Sequence, residues 1–215
     1  MFCISPHTEI LLHDIIKPAM NTIYLIRHGQ KENKPGDPPL TALGIKQAKV
    51  TATYIHTHKI HSIYTSPFLR TRQTAEIIAK QFQLPVISDE RLKERLNWGD
   101  RKNETFDEFW NEWQKTDIDR TYQPLHGKSS TQNGLEIKSF LDTIGNNQNQ
   151  SIVIVTHGGT IGDLLRTIIP DSQLPHAINE KSGAKYLDIL ECSITQITAD
   201  NSNYSLERIN VINHL

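Results

Sequence analysis

The residues best able to do chemistry in this 215-residue chain stand at the ends of two apolar runs. Tyr24-Leu25-Ile26 leads into Arg27-His28-Gly29, and Ile152-Val153-Ile154-Val155 leads through Thr156 into His157-Gly158-Gly159. A neutral imidazole is nucleophilic near pH 7, because its ordinary pKa is about 6.5. A guanidinium offers paired donors that match phosphate oxygens. Glycine lets backbone approach a ligand closely. Arg70 follows Ser66-Pro67 at what reads as a helix start, where backbone N–H groups and the helix dipole also favour an anion. Brought together, two imidazoles, two guanidiniums and a helix N-terminus would hold a phosphate.

The elements that must bring them together follow from periodicity. Residues 23–26 and 152–155 read as buried strands, the second β-branched throughout and suited to a doubly covered central position. Thr41 can cap a helix whose stripe is Ile45, Ala48, Ala52 and Ile55. Residues 61–65 read as a strand, Ser66 as a cap, Pro67 as a first helical residue, and Ala75, Ile78, Ala79 and Phe82 as a buried face. Residues 86–88, 184–190, 193–198 and 204–211 read as further strands, the last two joined by a turn at Asn201-Ser202-Asn203. Helices are expected over 130–144 and 160–169. Strands alternating with helices imply an α/β fold, and ligands in such folds collect at the carboxyl ends of parallel strands. Parallel, adjacent first and fourth strands would set His28 beside His157 at one sheet edge.

Residues 89–130 break this rhythm and hold all three tryptophans, Trp98, Trp110 and Trp113. Thr105 and Glu108 have capping-box spacing. Phe106, Phe109, Trp110 and Trp113 form an aromatic stripe, read first as core and second as part of a cap over the site. His56, His58 and His61 suggest a metal site, but positions two apart on a helix point to different sides, and a solvated helix end is the simpler reading. Arg72 reads as a solvated or structural ion pair. Residues 1–20 carry Pro6 and Pro18 and precede the first strand; they read as an N-terminal extension, either a surface arm or a dispensable leader before Met20. Residues 21–215 read as one domain.

Composition narrows the function. Lys and Arg total 23 against 24 Asp and Glu, so no strong field draws in nucleic acid or a membrane surface. No apolar run reaches the about 20 residues needed to span a bilayer, and no secretory leader is visible. Cys3 and Cys192 are the two cysteines; without a CxxC pair they suit a reducing, cytoplasmic setting.

Five blocks resemble the histidine phosphatase superfamily, the phosphoglycerate mutase-like fold. They are Leu25-Ile26-Arg27-His28-Gly29, Leu40-Thr41-Ala42-Leu43-Gly44-Ile45-Lys46-Gln47-Ala48, Ser66-Pro67-Phe68-Leu69-Arg70-Thr71-Arg72-Gln73-Thr74-Ala75, Leu92-Lys93-Glu94-Arg95-Leu96-Asn97-Trp98-Gly99 and Val155-Thr156-His157-Gly158-Gly159. The resemblance covers most of residues 21–198 in the family's order. It implies a three-layer α/β/α sandwich with a mostly parallel central sheet and a helical cap insertion over 89–130. It implies His28 as nucleophile, Arg27, Arg70 and His157 as phosphate ligands with help from the Gly158 N–H, and Glu94 as proton donor. Asn33 and Gln30 could touch the substrate from the loop after the first block, although the family's frequent asparagine lies one position after Asn33. No metal or cofactor is implied. A bound phosphate would favour a protonated Glu94 and neighbouring Arg95 would oppose it, a balance the sequence leaves open. Lys128 stands where relatives often have an acid.

The leading expectation is a phosphomonoester phosphatase acting on a small phosphorylated substrate. The compact loop over 30–39 favours hydrolysis over the first rival, a cofactor-dependent phosphoglycerate mutase. The second rival is a catalytically silent module that binds phosphorylated ligands. Neither the natural substrate nor the oligomeric state is legible.

Overall fold

Alternation along two strands splits the core into two layers. Ile23 and Leu25 of β1 (Asn21–Arg27) and Ile152 and Ile154 of β4 (Ser151–Thr156) join one apolar cluster; Tyr24, Ile26, Val153 and Val155 join the other. Side chains on successive strand residues point to opposite faces, so a run apolar at every position is a strand covered twice. The computed structural model describes residues 20–145, 149–178, 185–200 and 203–215.

Between these strands come α1 (Ala42–Ile55), β2 (Ser62–Thr65), α2 (Leu69–Phe82), β3 (Val86–Ser88), α3 (Phe106–Ile118) and α4 (Ser130–Ile144). After β4 come α5 (Gly158–Ile168), the short ribbon β5 (Ala177–Ile178) and β6 (Lys185–Tyr186), then β7 (Ile194–Asp200) and β8 (Asn203–Val211). The main sheet has the order β3-β2-β4-β1-β7-β8. Its first four strands are mutually parallel; β7 and β8 add an antiparallel edge. Helices α4 and α5 cover one face through Ile137, Phe140, Leu141, Ile161, Leu164 and Leu165. Helices α1 and α2 cover the other through Ala52, Ile55, Ala75 and Ile78. This is the three-layer, mostly parallel architecture read from the sequence.

Register does the positioning. Parallel β1 and β4 pair Ile26 with Val155 and Arg27 with Thr156. The next residue on each strand is a histidine, and His28 N donates to Thr156 O at 3.0 Å. Two glycines tighten the same corner. A Cβ on Gly29 would stand 2.6 Å from the Gly44 carbonyl oxygen, and one on Gly44 would strike the backbone of Gln30. The loop after β1 and the start of α1 therefore pack backbone to backbone, which links the first two sequence blocks physically. Thr41 caps α1 as expected, its Oγ1 accepting from Gly44 N, a bond worth about 1 kcal/mol. The Thr105–Glu108 capping box on α3 is present as well.

Four expectations are corrected. Ile45 is exposed; the stripe of α1 runs through Gly44, Ala48, Thr51, Ala52 and Ile55. Ser66 does not cap α2, which begins at Leu69, three residues later. The Asp37 carboxylate serves that end instead, accepting from Leu69 N at 2.7 and 2.9 Å. Residues 187–190 form no strand, because the Ile189 carbonyl and Leu190 N–H bond to the Arg27 and Asn210 side chains. The aromatic stripe of α3 contributes no ring to either core cluster. Ala184, Asn201 and Ser202, residues 1–19 and with them Cys3 lie outside the described residues.

His56, His58 and His61 have structural partners. His58 packs edge-on against Tyr24, His56 lies tilted against Phe82, and His61 Nδ1 accepts from Ser151 N. Among the described residues no group of three His, Cys, Asp or Glu could hold a metal ion. Nor is any helix among them long and apolar enough to cross a membrane.

Candidate active site

The strand ends deliver what their register promises. The His28 and His157 rings lie 5.3 Å apart between centroids, at 69° to each other. Both are buried, at 5% and 0% exposure. They line a cavity of about 580 Å³ together with Arg27, Arg70, Glu94 and Gly158.

Each ring has a partner that fixes its protons. His28 Nδ1 lies 2.8 Å from the Gly29 carbonyl. A carbonyl only accepts, so Nδ1 carries the hydrogen and Nε2 keeps its lone pair. Burial first, then the nearby Arg70 and Arg27 charges, hold the His28 pKa well below 6.5. His28 is therefore neutral at pH 7, with a free ring nitrogen. His157 Nε2 lies 2.8 Å from Ser66 Oγ. A Ser66 hydroxyl that donates to Nε2 leaves the His157 proton on Nδ1, the tautomer assigned to the ring. Burial, with Arg70 next, also keeps His157 well below 6.5. Ser66, read as a helix cap, is instead the group that orients the second histidine.

The arginines are held from behind. Arg27 Nη1 donates to the Ile189 carbonyl at 2.6 Å, and Nη2 lies 3.9 Å from Glu191. Arg70, at 3% exposure, donates from Nη2 to Asn97 Oδ1 at 3.2 Å and lies over the Phe68 ring at 4.4 Å. Asp37 approaches Arg70 Nη1 only to 3.7 Å. Among the described residues, Arg27 Nε, Arg70 Nε and Nη1 and His157 Nδ1 are buried donors with no hydrogen-bond acceptor. Buried donors are costly to leave unpaired. Arg95 Nε is a fifth among the cavity's lining side chains, and the four on Arg27, Arg70 and His157, with the free His28 nitrogen, suit a tetrahedral oxyanion.

Glu94 sits at the start of α5. The Thr156 and Thr160 hydroxyls donate to the Leu92 and Lys93 carbonyls at 2.7 and 2.9 Å, fastening its segment to β4 and α5. Its carboxyl accepts from Gly159 N at 3.0 Å and Arg95 N at 3.1 Å, and Oε1 lies 3.2 Å from Thr160 Oγ1. The structure adds burial to the balance between phosphate and Arg95. Burial raises the Glu94 pKa above 4.5, and Asp163 pushes the same way, against Arg95 and the backbone donors. Arg95 cannot prevail because its own charge is shared. It donates to Asp163 Oδ1 at 2.9 Å, pairs with Asp117, and lies over the Trp113 ring at 3.9 Å. Ser130 and Asn133 complete the shell of Asp163 at 2.6 and 3.1 Å.

Gly158, at the first position of α5, lines the cavity, and its N–H is among those an α-helix leaves without an internal partner. Asn33 is exposed and stands among the lining residues. Gln30 is not among them: its carbonyl accepts from Thr41 N, and its side chain accepts from Thr41 Oγ1 at 2.8 Å. It braces the loop after β1. Lys128 pairs with Glu136. Sequence reasoning missed Lys31, a partly buried amine lining the cavity, whose Nζ donates to the Glu32 carbonyl at 3.3 Å. Burial and the two arginines lower its pKa. It also missed Asn97 and the Ile189 carbonyl, which aim the arginines; neither bears a local signal in one sequence.

Comparison with known proteins follows this geometry. The model of the histidine phosphatase superfamily (branch 1) matches residues 23–212. A protein of Proteus mirabilis named probable phosphoglycerate mutase GpmB is 31% identical over 196 residues, covering 85% of this chain and 87% of its own. A phosphoglycerate mutase structure from Bacillus anthracis superposes with a TM-score of 0.74 at 22% identity, covering 92% of this chain and 96% of the other. A phosphoserine phosphatase mutant from Entamoeba histolytica, in complex with phosphoserine, gives 0.67 at 24% identity, covering 91% and 99%. The last two likenesses establish the fold.

Proposed function

The chain belongs to branch 1 of the histidine phosphatase superfamily, and within that family we propose that it is a phosphomonoester hydrolase working through a phosphohistidine on His28. The observation that carries this reading is the set of four unpaired buried donors beside a neutral imidazole with one free nitrogen.

Arg27, Arg70, His157 Nδ1–H and the Gly158 N–H take the non-bridging oxygens of a small phosphorylated substrate. His28 Nε2 attacks phosphorus, and the bond from phosphorus to the leaving oxygen breaks. Glu94, whose pKa burial raises, gives its proton to that oxygen, and the alcohol departs. The resulting carboxylate takes a proton from water as the water oxygen attacks the phosphohistidine. Inorganic phosphate leaves, with His28 neutral and Glu94 protonated again. Most of the rate enhancement in such transfers comes from placing positive charge around the phosphoryl group, which is the role given to the arginines. Lys31 adds a third cation at the rim. No step calls on a metal or cofactor.

A second reading, phosphoglycerate mutase, is supported by the names of relatives such as the Proteus mirabilis protein. A mutase must hold a glycerate carboxylate beside the phosphoryl group. Arg95, the cation next to Glu94, is matched by Asp117 and Asp163, while Lys31 and Arg166 also line the cavity. Initial rates with para-nitrophenyl phosphate and in a coupled mutase assay decide between them. Hydrolysis exceeding mutase turnover is the expected outcome; the reverse order rejects the hydrolase reading.

A further inference from the structure

Helix α3 presents its aromatic stripe to the cavity. Phe106, Phe109, Trp110 and Trp113 all line it, whereas the buried residues of the helix are Glu112 and Thr116. Phe106 and Trp110 are 48% and 42% exposed. Their rings lie nearly parallel, 11° apart, with centroids separated by 6.2 Å. Large rings left in contact with water around a concave polar site mark a ligand surface.

The position of this wall says which part of a substrate meets it. A Cβ built on Gly159 would stand 2.5 Å from Glu94 Oε1 and 2.6 Å from Trp113 Cη2. The edge of the Trp113 ring and the Glu94 carboxyl therefore meet at one point beside the first turn of α5. Glu94 serves the leaving oxygen. What continues past Glu94 along Trp113, Phe109, Trp110 and Phe106 is the alcohol part of the substrate, not the phosphoryl group. A small polyhydroxylated alcohol would lose water from its hydroxyls against these rings and gain few partners. A flat apolar group would bury surface and stack.

We propose that the substrate is a phosphomonoester whose alcohol part carries an aromatic ring, seated on the α3 wall. The inference rests on the hydrolase reading and narrows it. Aryl phosphates are poor probes, since a phenolate departs easily whatever it touches. The test compares 2-phenylethyl phosphate with ethyl phosphate, two alkyl esters with similar leaving groups, one bearing a ring. The expected kcat/KM ratio is about tenfold or more in favour of the ring-bearing ester, expressed mainly in KM. Trp110→Ala and, separately, Phe106→Ala shrink that ratio by about fivefold; both residues are well exposed, so the fold tolerates the change. Equal turnover of the two esters, or variants that leave the ratio intact, overturn the proposal. Calorimetric binding of 2-phenylethylphosphonate and ethylphosphonate separates this failure from failure of the hydrolase reading. Tighter binding of the ring-bearing phosphonate by a protein that hydrolyses neither ester keeps the wall and rejects hydrolysis; equal binding rejects the wall.

Discussion

Replacing His28 by Ala lowers kcat for phosphomonoester hydrolysis by about 10⁴-fold or more, the scale of losing a covalent nucleophile. The side chain is buried at the end of β1, and its Nδ1 is committed to the Gly29 carbonyl. Nε2 is thus the atom left for attack, and no other ring replaces it. His157 stands 5.3 Å away, but its Nε2 is tied to Ser66. Inorganic phosphate should still bind the His28→Ala variant, because Arg27, Arg70 and His157 remain. Loss of activity with binding retained separates a missing nucleophile from a collapsed site. A variant keeping more than about a tenth of wild-type kcat contradicts the assignment.

Replacing Glu94 by Gln costs about 10²–10⁴-fold in kcat/KM for alkyl phosphates, the usual range for a general acid–base. The loss is much smaller for para-nitrophenyl phosphate, whose leaving group departs without a proton. The pH profile carries the same information. His28 must be neutral, and burial with two arginines lowers its pKa; the acid limb of kcat/KM therefore falls below pH 6.5. Glu94 must be protonated, and burial raises its pKa above 4.5; the alkaline limb belongs to it and moves above that ordinary value. The Gln variant keeps the acid limb and loses the alkaline one. Its NH₂ must face Gly159 N–H or Arg95 N–H, both now donors to the carboxyl, so phosphate affinity is measured beside the rate. An equal loss with alkyl and nitrophenyl esters, or an unchanged alkaline limb, removes Glu94 from the role.

The sequence was legible where period and chemistry agreed. The apolar run ending at Arg27-His28 read as a buried strand and the β-branched run before His157 as a doubly covered one, and their parallel pairing brings the two ends together. Thr41 and Thr105 announced their helices because a cap is a local event. Ser66 misled for a related reason: serine before proline is a sound cap signal, but a buried imidazole needed the hydroxyl more, and Asp37 from a distant loop took the helix end. The stripe on α3 misled because period reveals an apolar face and not what it faces. Asn97, Lys31 and the Ile189 carbonyl act through tertiary placement, which no spacing in one sequence encodes. The rise in the Glu94 pKa comes first from burial, with Asp163 adding to it from far along the chain, and neither is written in the residues beside Glu94.

The most direct test of the account is to trap the phosphoryl group on the protein. Wild type, Glu94→Gln and His28→Ala are mixed with ³²P-labelled para-nitrophenyl phosphate, quenched within milliseconds in alkali, and mapped by proteolysis. The account predicts label on the peptide holding His28, stable to alkali and labile to acid, greater in Glu94→Gln where water attack is slowed, and absent from His28→Ala. Rapid turnover with no acid-labile label on that peptide, or label that survives the loss of His28, would contradict it.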